Sequence, residues 1–166
     1  MKKKSATPQK KRFVKRSQVE MTELVLPNDT NQLGNLLGGR LMAWMDIASA
    51  IAAQRHSNRV CVTAGVDDLV FHQPIRLGEV VTLRTSVNRV FGTSMEVGVR
   101  VSSENQLTGD RKTANTAYLT FVAVDDHGIP VAIRPVVPQT AEEKQRFQEA
   151  LVRRNERLRR REAARK

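Results

Sequence analysis

From Leu41 to Ala53, thirteen consecutive residues carry a single charge, that of Asp46. Apolar side chains surround this stretch instead of forming one stripe, which predicts a buried central helix over about 40–54. "SQVEMTELVLP", residues 17–27, alternates well enough for a first strand and stops at Pro27. "NDTNQLGNLLGG", 28–39, is dense in turn formers and leads into the helix. Four strand-like segments follow. Residues 60–73 are apolar on both faces, with Asp67-Asp68 interrupting the alternation. Residues 79–91 alternate, with Val81, Leu83, Thr85 and Val87 on one face. Residues 94–103 set Met95, Val97, Val99 and Val101 against Glu96, Gly98 and Arg100. Residues 113–124, rich in Thr, Val and aromatics, read as a central strand. Phe91-Gly92-Thr93 suits a hairpin turn. This order predicts an α+β architecture, an antiparallel sheet wrapped around one long helix. A single sheet covers only part of a helix that is apolar all round, so a second copy of the chain is expected to cover the rest.

The ends of the chain differ from this body. Residues 1–16 hold eight Lys/Arg and no acid, and lack an apolar period, so a disordered basic arm is expected there. The domain proper is expected over 17–139. Residues 140–166 form the third segment. Thr140 and Glu143 make a capping box, and a charged helix is expected from about 141 to 163. That segment holds ten Lys/Arg against five Glu, whereas 17–141 hold ten Lys/Arg against twelve acids. The net charge of +11 therefore sits in the tails, where it suits weak contact with any polyanion. The body is near neutral and only 4% of the chain is aromatic, which argues against base stacking on single-stranded nucleic acid. A 16-residue arm is too short for a helix-turn-helix. One cysteine, Cys61, excludes an internal disulfide and fits a reducing, cytoplasmic setting. No apolar run reaches the length of a membrane span, and the basic N-terminus lacks the apolar region of a secretory signal.

Several blocks, in order, resemble one family. "NDTNQLGNLLGGRLMAWMD", 28–46, is similar to the entry of the central helix in hotdog-fold acyl-CoA thioesterases. "TAGVDDLVFHQPIRLGE", 63–79, "SMEV", 94–97, and "TGDRKTANTAYLTFVAVD", 108–125, continue the likeness. It covers roughly residues 19–155 and lies nearest the cytosolic acyl-CoA hydrolases, including the brain-type enzyme and its small bacterial counterparts. The resemblance implies hydrolysis of acyl-CoA to a free acid and CoA without metal or redox cofactor. It implies Asp46 as general base or nucleophile, and Asn31 as the residue that positions water or the carbonyl. It further implies a homodimer whose sites each take Asn31 from one subunit and Asp46 from the other, assembled as a trimer of dimers.

The residue chemistry accommodates those roles. Gly38 and Gly39 precede the helix, where free N–H groups point outward and could receive a thioester oxygen. A buried carboxylate is a stronger base for water. Ser49, one turn beyond Asp46, is placed to hydrogen-bond it. Plainer readings stand beside these. Asp46 suits an ion pair or a backbone cap, Asn31 a turn, and the glycine pair close packing at helix entry. His56 at the helix C-terminus is favoured there electrostatically; His72 precedes Pro74 and His127 lies in a turn. No His or Cys spacing suits a metal. The CoA phosphates need cations: Arg111-Lys112 is the adjacent basic pair of the body, with Arg55, Arg59 and Arg89 as further candidates, and Ser94 placed to meet a phosphate or the pantetheine arm. The rival functions are a non-catalytic acyl-CoA-binding regulator on the same fold and a nucleic-acid-binding protein using its basic tails.

Overall fold

The computed structural model describes residues 11–164, apart from 68, 71 and 72, and of residue 114 the backbone alone. Strands β1 (Arg12–Phe13) and β2 (Val19–Leu24) precede helix α1 (Gly38–Ser57). Strands β3 (Val60–Val66), β4 (Val80–Phe91), β5 (Ser94–Glu104) and β6 (Arg111–Val124) follow, then β7 (Val136–Val137) and helix α2 (Ala141–Ala163). The antiparallel sheet runs in the order β2-β4-β5-β6-β3, so β3 is an edge. Thr85 donates its hydroxyl to the Ala48 carbonyl of α1 and pairs with Val99. Its face, with Leu83, Val97, Val99, Leu119 and Phe121, forms the core against α1. Side chains pointing the other way meet α2. Helix α1 ends at Asn58, whose φ of 56° a small polar side chain tolerates better than most.

Helix α1 buries Leu41, Trp44, Met45, Ala48, Ala52 and Ala53. Its opposite face exposes Met42, Ile47 and Ile51, and the edge strand beside it exposes Val60, Val62 and Val66. The helix that is apolar all round is thus half covered by its own sheet, and the edge strand beside it pairs on one side alone, with β6.

The disordered arm expected over 1–16 needs correction from Arg12 onward. Arg12 and Phe13 pair in parallel with Val136 and Val137, and residues Val14–Ser17 form a 3-10 turn that buries Val14. Arg16 donates to the Arg55 carbonyl and to Asn58 Oδ1 at the end of α1. The physical reason is a pair of apolar residues, Phe13-Val14, among the charges, too short to show a period yet enough to anchor one turn.

Helix α2 docks through charge more than through apolar area. Its Thr140–Glu143 capping box forms in both directions. Glu96, fully buried on the outer face of β5, accepts a bidentate contact from Arg153, the closer nitrogen at 2.7 Å, and lies 3.3 Å from Arg157. Arg157 also pairs with Asp67 at 2.6 Å, and Arg153 stacks over Tyr118 at 3.5 Å. Asn88 donates to Glu96, and Gly98 makes room for it: a Cβ at 98 would lie 2.8 Å from Asn88 Nδ2.

Candidate active site

Asp46 lies two turns into α1, about 10–12 Å along the axis from Gly38-Gly39. Thr63 stands opposite on β3. It pairs with Phe121, which sets its side chain on the face turned to α1. The register shifts just beyond it, between Thr63 and Gly65, as β3 leaves its regular ladder. The Thr63 hydroxyl donates to Asp46 Oδ1 at 2.6 Å. Such a charge-assisted bond fixes the carboxylate's orientation. The other carboxylate oxygen has no partner among the described residues and is free to accept from water. Asp46 is half-buried here, where the sequence led us to expect a buried carboxylate.

At the head of α1, Leu37 gives no side-chain cap, and the first intrahelical bond runs from the Leu41 N–H to the Leu37 carbonyl. The N–H groups of Gly38, Gly39 and Arg40 therefore lack helical acceptors. A Cβ on Gly39 would meet nothing within 4 Å, so open space lies against that backbone. Asp29 anchors this entrance: its carbonyl accepts from Leu37 and its carboxylate pairs with Arg40 at 2.9 Å.

Asn31 performs the turn role in full. Its Oδ1 accepts from the N–H groups of Leu33 and Asn35, and its backbone bonds Asn35 and Gly34. The amide Nδ2 retains its donor capacity. Asn31 also lines a cavity of about 260 Å³ with Gly38, Leu41 and Ile75. That cavity includes neither Asp46 nor Thr63.

The remaining candidates divide. Ser49 is fully buried in the core with its hydroxyl unpartnered among the described residues, and the expected bond to Asp46 is absent; it sits on the buried face while Asp46 sits at its margin. His56 is fully buried ten residues beyond Asp46, its Nε2 against the Arg134 carbonyl at 2.9 Å, and burial lowers its pKa. His72 lies outside the described residues. His127 is exposed in the Asp125 turn. Arg111 pairs with Glu104 at 2.9 Å, and Lys112 is exposed beside it. Both lie at the far end of β6 from Phe121, roughly 30 Å along the strand. Arg55 donates to the Gln18 carbonyl, Arg59 is exposed in the turn after α1, and Arg89 stacks on Phe147 and donates to its carbonyl. Within one chain these cations are thus not gathered around Asp46. Ser94, in contrast, lines a groove with Ala64 and Val66 of β3, next in sequence to Thr63. Thr63 itself escaped the sequence reading. A threonine in a strand looks like an ordinary strand former, and only its facing an intrahelical carboxylate marks it. Among the described residues, no group of three or more His, Cys, Asp or Glu is placed to hold a metal.

The description "Thioesterase superfamily" matches residues 33–109. The Bacillus subtilis protein YkhA, described as an uncharacterized acyl-CoA thioester hydrolase, is 44% identical over 146 residues, 88% of this chain and 85% of its own. The chain belongs to the thioesterase superfamily, among its acyl-CoA thioester hydrolases. It spans only about a quarter of the longer mouse thioesterases it matches. A crystal structure of a hexameric acyl-CoA thioesterase superposes with a TM-score of 0.88 at 41% identity, over 90% of this chain and 96% of that one. The Staphylococcus aureus acyl-CoA hydrolase, solved with butyryl coenzyme A, coenzyme A and coenzyme A disulfide, gives 0.88 at 32% identity, over 94% and 95%. That hydrolase has also been solved with an aspartate, an asparagine or a threonine replaced by alanine. As the sequence reading anticipated, the fold is a curled antiparallel sheet with one long helix and a C-terminal helix.

Proposed function

We propose that this chain hydrolyses an acyl-CoA thioester to a carboxylic acid and CoA at a site shared between two subunits. The observation that carries the reading is the Asp46–Thr63 pair at 2.6 Å, set at the rim of an exposed apolar face. In this reading a second copy packs on β3 and on the Met42, Ile47 and Ile51 face of α1, bringing its Asn31 and the head of its helix to Asp46. Asp46 takes a proton from water as the oxygen attacks the thioester carbonyl. The N–H groups at the start of the partner's α1 hold the developing oxyanion, and Asn31 orients water or carbonyl without carrying charge. Collapse breaks the C–S bond, and the proton held by Asp46 passes to the leaving thiolate. Aspartate, asparagine and threonine are the residue types varied in the Staphylococcus aureus hydrolase, which supports the same trio here. The hexameric relative supports three such dimers. Side chains and water carry the whole reaction in this scheme, so activity survives chelation by EDTA. We place the chain in the cytoplasm, on its single buried cysteine.

Subunit mixing tests the proposal. Asp46→Asn lowers kcat about 10²–10⁴-fold, the range for a positioned base. Asn31→Ala is separately impaired. A randomised mixture of the two recovers activity, because half of the mixed dimer's sites carry neither lesion. If mixing restores nothing, both residues act within one subunit; if Asp46→Asn keeps wild-type kcat, Asp46 is not the base.

A further inference from the structure

Residues 29–37 fold as a short hairpin at the head of α1. The Leu37 N–H donates to the Asp29 carbonyl at 2.8 Å, Thr30 bridges to Leu36, and the Asn31 N–H donates to the Asn35 carbonyl at 2.8 Å. Asn31 thus stands two residues, roughly 7 Å, up the hairpin from Asp29. The return limb runs into the first turn of the helix. That limb is held to residues 75–77, by the Leu36 N–H on the Ile75 carbonyl and the Leu77 N–H on the Gly34 carbonyl. Those bonds set the hairpin against a loop and leave its angle to the helix to be fixed by other contacts. Asp29 supplies such a tie. Its carboxylate is largely buried, and the two oxygens divide: Oδ2 accepts the Leu26 N–H at 3.1 Å, and Oδ1 pairs at 2.9 Å with Nε of Arg40, in the first turn of α1. One side chain therefore joins the chain after β2, the outgoing limb of the hairpin and the helix. Arg40 in turn needs this partner. A cation in the first turn opposes the positive end of the helix dipole, and α1 has no acidic residue of its own there. With the pair formed the two charges offset one another, and the N–H groups of Gly38 and Gly39 keep their partial charge for a ligand.

We infer that Asp29 is a positioning residue for the proposed reaction: paired with Arg40, it holds the Asn31 amide and the N–H groups at the head of α1 as one rigid unit, which a subunit presents to its partner's active carboxylate. The inference rests on the reading above of a thioesterase site shared between two subunits. The Asp29 carboxylate is committed to Leu26 and Arg40, so it aims other groups and does not itself react.

The test is kinetic, with acyl-CoA as substrate. Asp29→Asn keeps the shape and removes the charge that holds Arg40. Its kcat falls about 10- to 100-fold, the scale of loss when a reacting group is slightly misplaced. KM stays close to wild type, because the interactions lost are those of the transition state. Arg40→Gln, at an exposed side chain, repeats the effect more weakly and stays informative if Asp29→Asn fails to fold. Subunit mixing adds a readout that a general loss of stability would not move. Randomised with Asp46→Asn, either variant recovers activity, since the mixed dimer has one site in which an intact hairpin faces an intact Asp46. Randomised with Asn31→Ala, neither recovers, since every site of the mixed dimer then has a damaged hairpin. Wild-type kcat in both variants overturns the assignment. So does recovery with Asn31→Ala but not with Asp46→Asn, which would put Asp29 with the half of the site that holds Asp46. Failure to recover with Asp46→Asn, where Asn31→Ala does recover with it, overturns the assignment as well and marks a general defect of the fold. If Asp46→Asn and Asn31→Ala restore nothing in each other, the shared-site reading fails and this inference falls with it; if the wild-type chain cleaves no thioester, the enzyme reading fails first.

Discussion

One oxygen of Asp46 is tied to Thr63 and the other is uncommitted, so the hydroxyl's task is aim. On the proposed reading of Asp46 as the base, removing the hydroxyl leaves the base in place but less directed. Thr63→Val, nearly the same in shape, lowers kcat about tenfold or more, and Thr63→Ser restores most of it, since misplacing a catalytic group is expensive. Steady-state kinetics on the two variants decide it; equal loss in both means that the methyl matters rather than the hydroxyl. His56 makes a prediction of a different kind. Burial, with the nearby charges of Arg12 and Arg16, holds its pKa below the ordinary 6.5 against the pull of the Arg134 carbonyl. The folded chain thus keeps a neutral imidazole where the unfolded chain binds a proton. The unfolded state holds more protons below about pH 6.5, so the His56 contribution is intact above that pH and is lost as pH falls beneath it. Melting temperature therefore drops between pH 7 and pH 5.5, and drops less in His56→Gln.

At the scale of elements, α2 is seated by a buried carboxylate. Glu96→Gln keeps the shape and leaves Arg153 and Arg157 short of their anion. Removing one partner of such a pair costs about 3 kcal/mol or more, read as a lower midpoint in urea unfolding. Unchanged stability would mean that Asn88 and Tyr118 hold the helix without it. This docking was not legible in the sequence. Glu96 sits in a perfect alternation, where a polar residue between valines reads as a solvated face, and nothing local says that a helix will cover it. The elements themselves were legible. Val81, Leu83 and Val87 on one face and the thirteen residues around Asp46 fix period and length, so β4, β5 and α1 appear close to where they were expected. Asp46 stood out because a charge in an apolar helix is anomalous. Thr63 did not, because a threonine in a strand breaks no local rule; it takes its meaning from its contact with Asp46 on another element. Phe13-Val14 failed for the opposite reason, being too short a signal inside a run of charge.

Across the whole molecule, the half-covered helix and the exposed edge strand are where the proposed second copy sits. Val62 is exposed at the centre of that edge. Val62→Lys introduces a charge there and yields a folded monomer by sedimentation, with hydrolysis lost although every catalytic side chain remains. A monomer that still turned over would show the chain to be sufficient alone. The proposed sharing of the site between two subunits has a kinetic corollary. A site completed only by association makes rate depend on more than substrate. Well below the dissociation constant of the dimer, velocity rises as the square of total protein, and it becomes linear only well above it. Diluting a concentrated stock produces progress curves that slow over the lifetime of the dimer, and the product CoA, if it bridges the two subunits, holds the pair together and straightens them. Dilution itself then acts as an off switch, and a purified sample assayed at trace concentration reads as nearly inert.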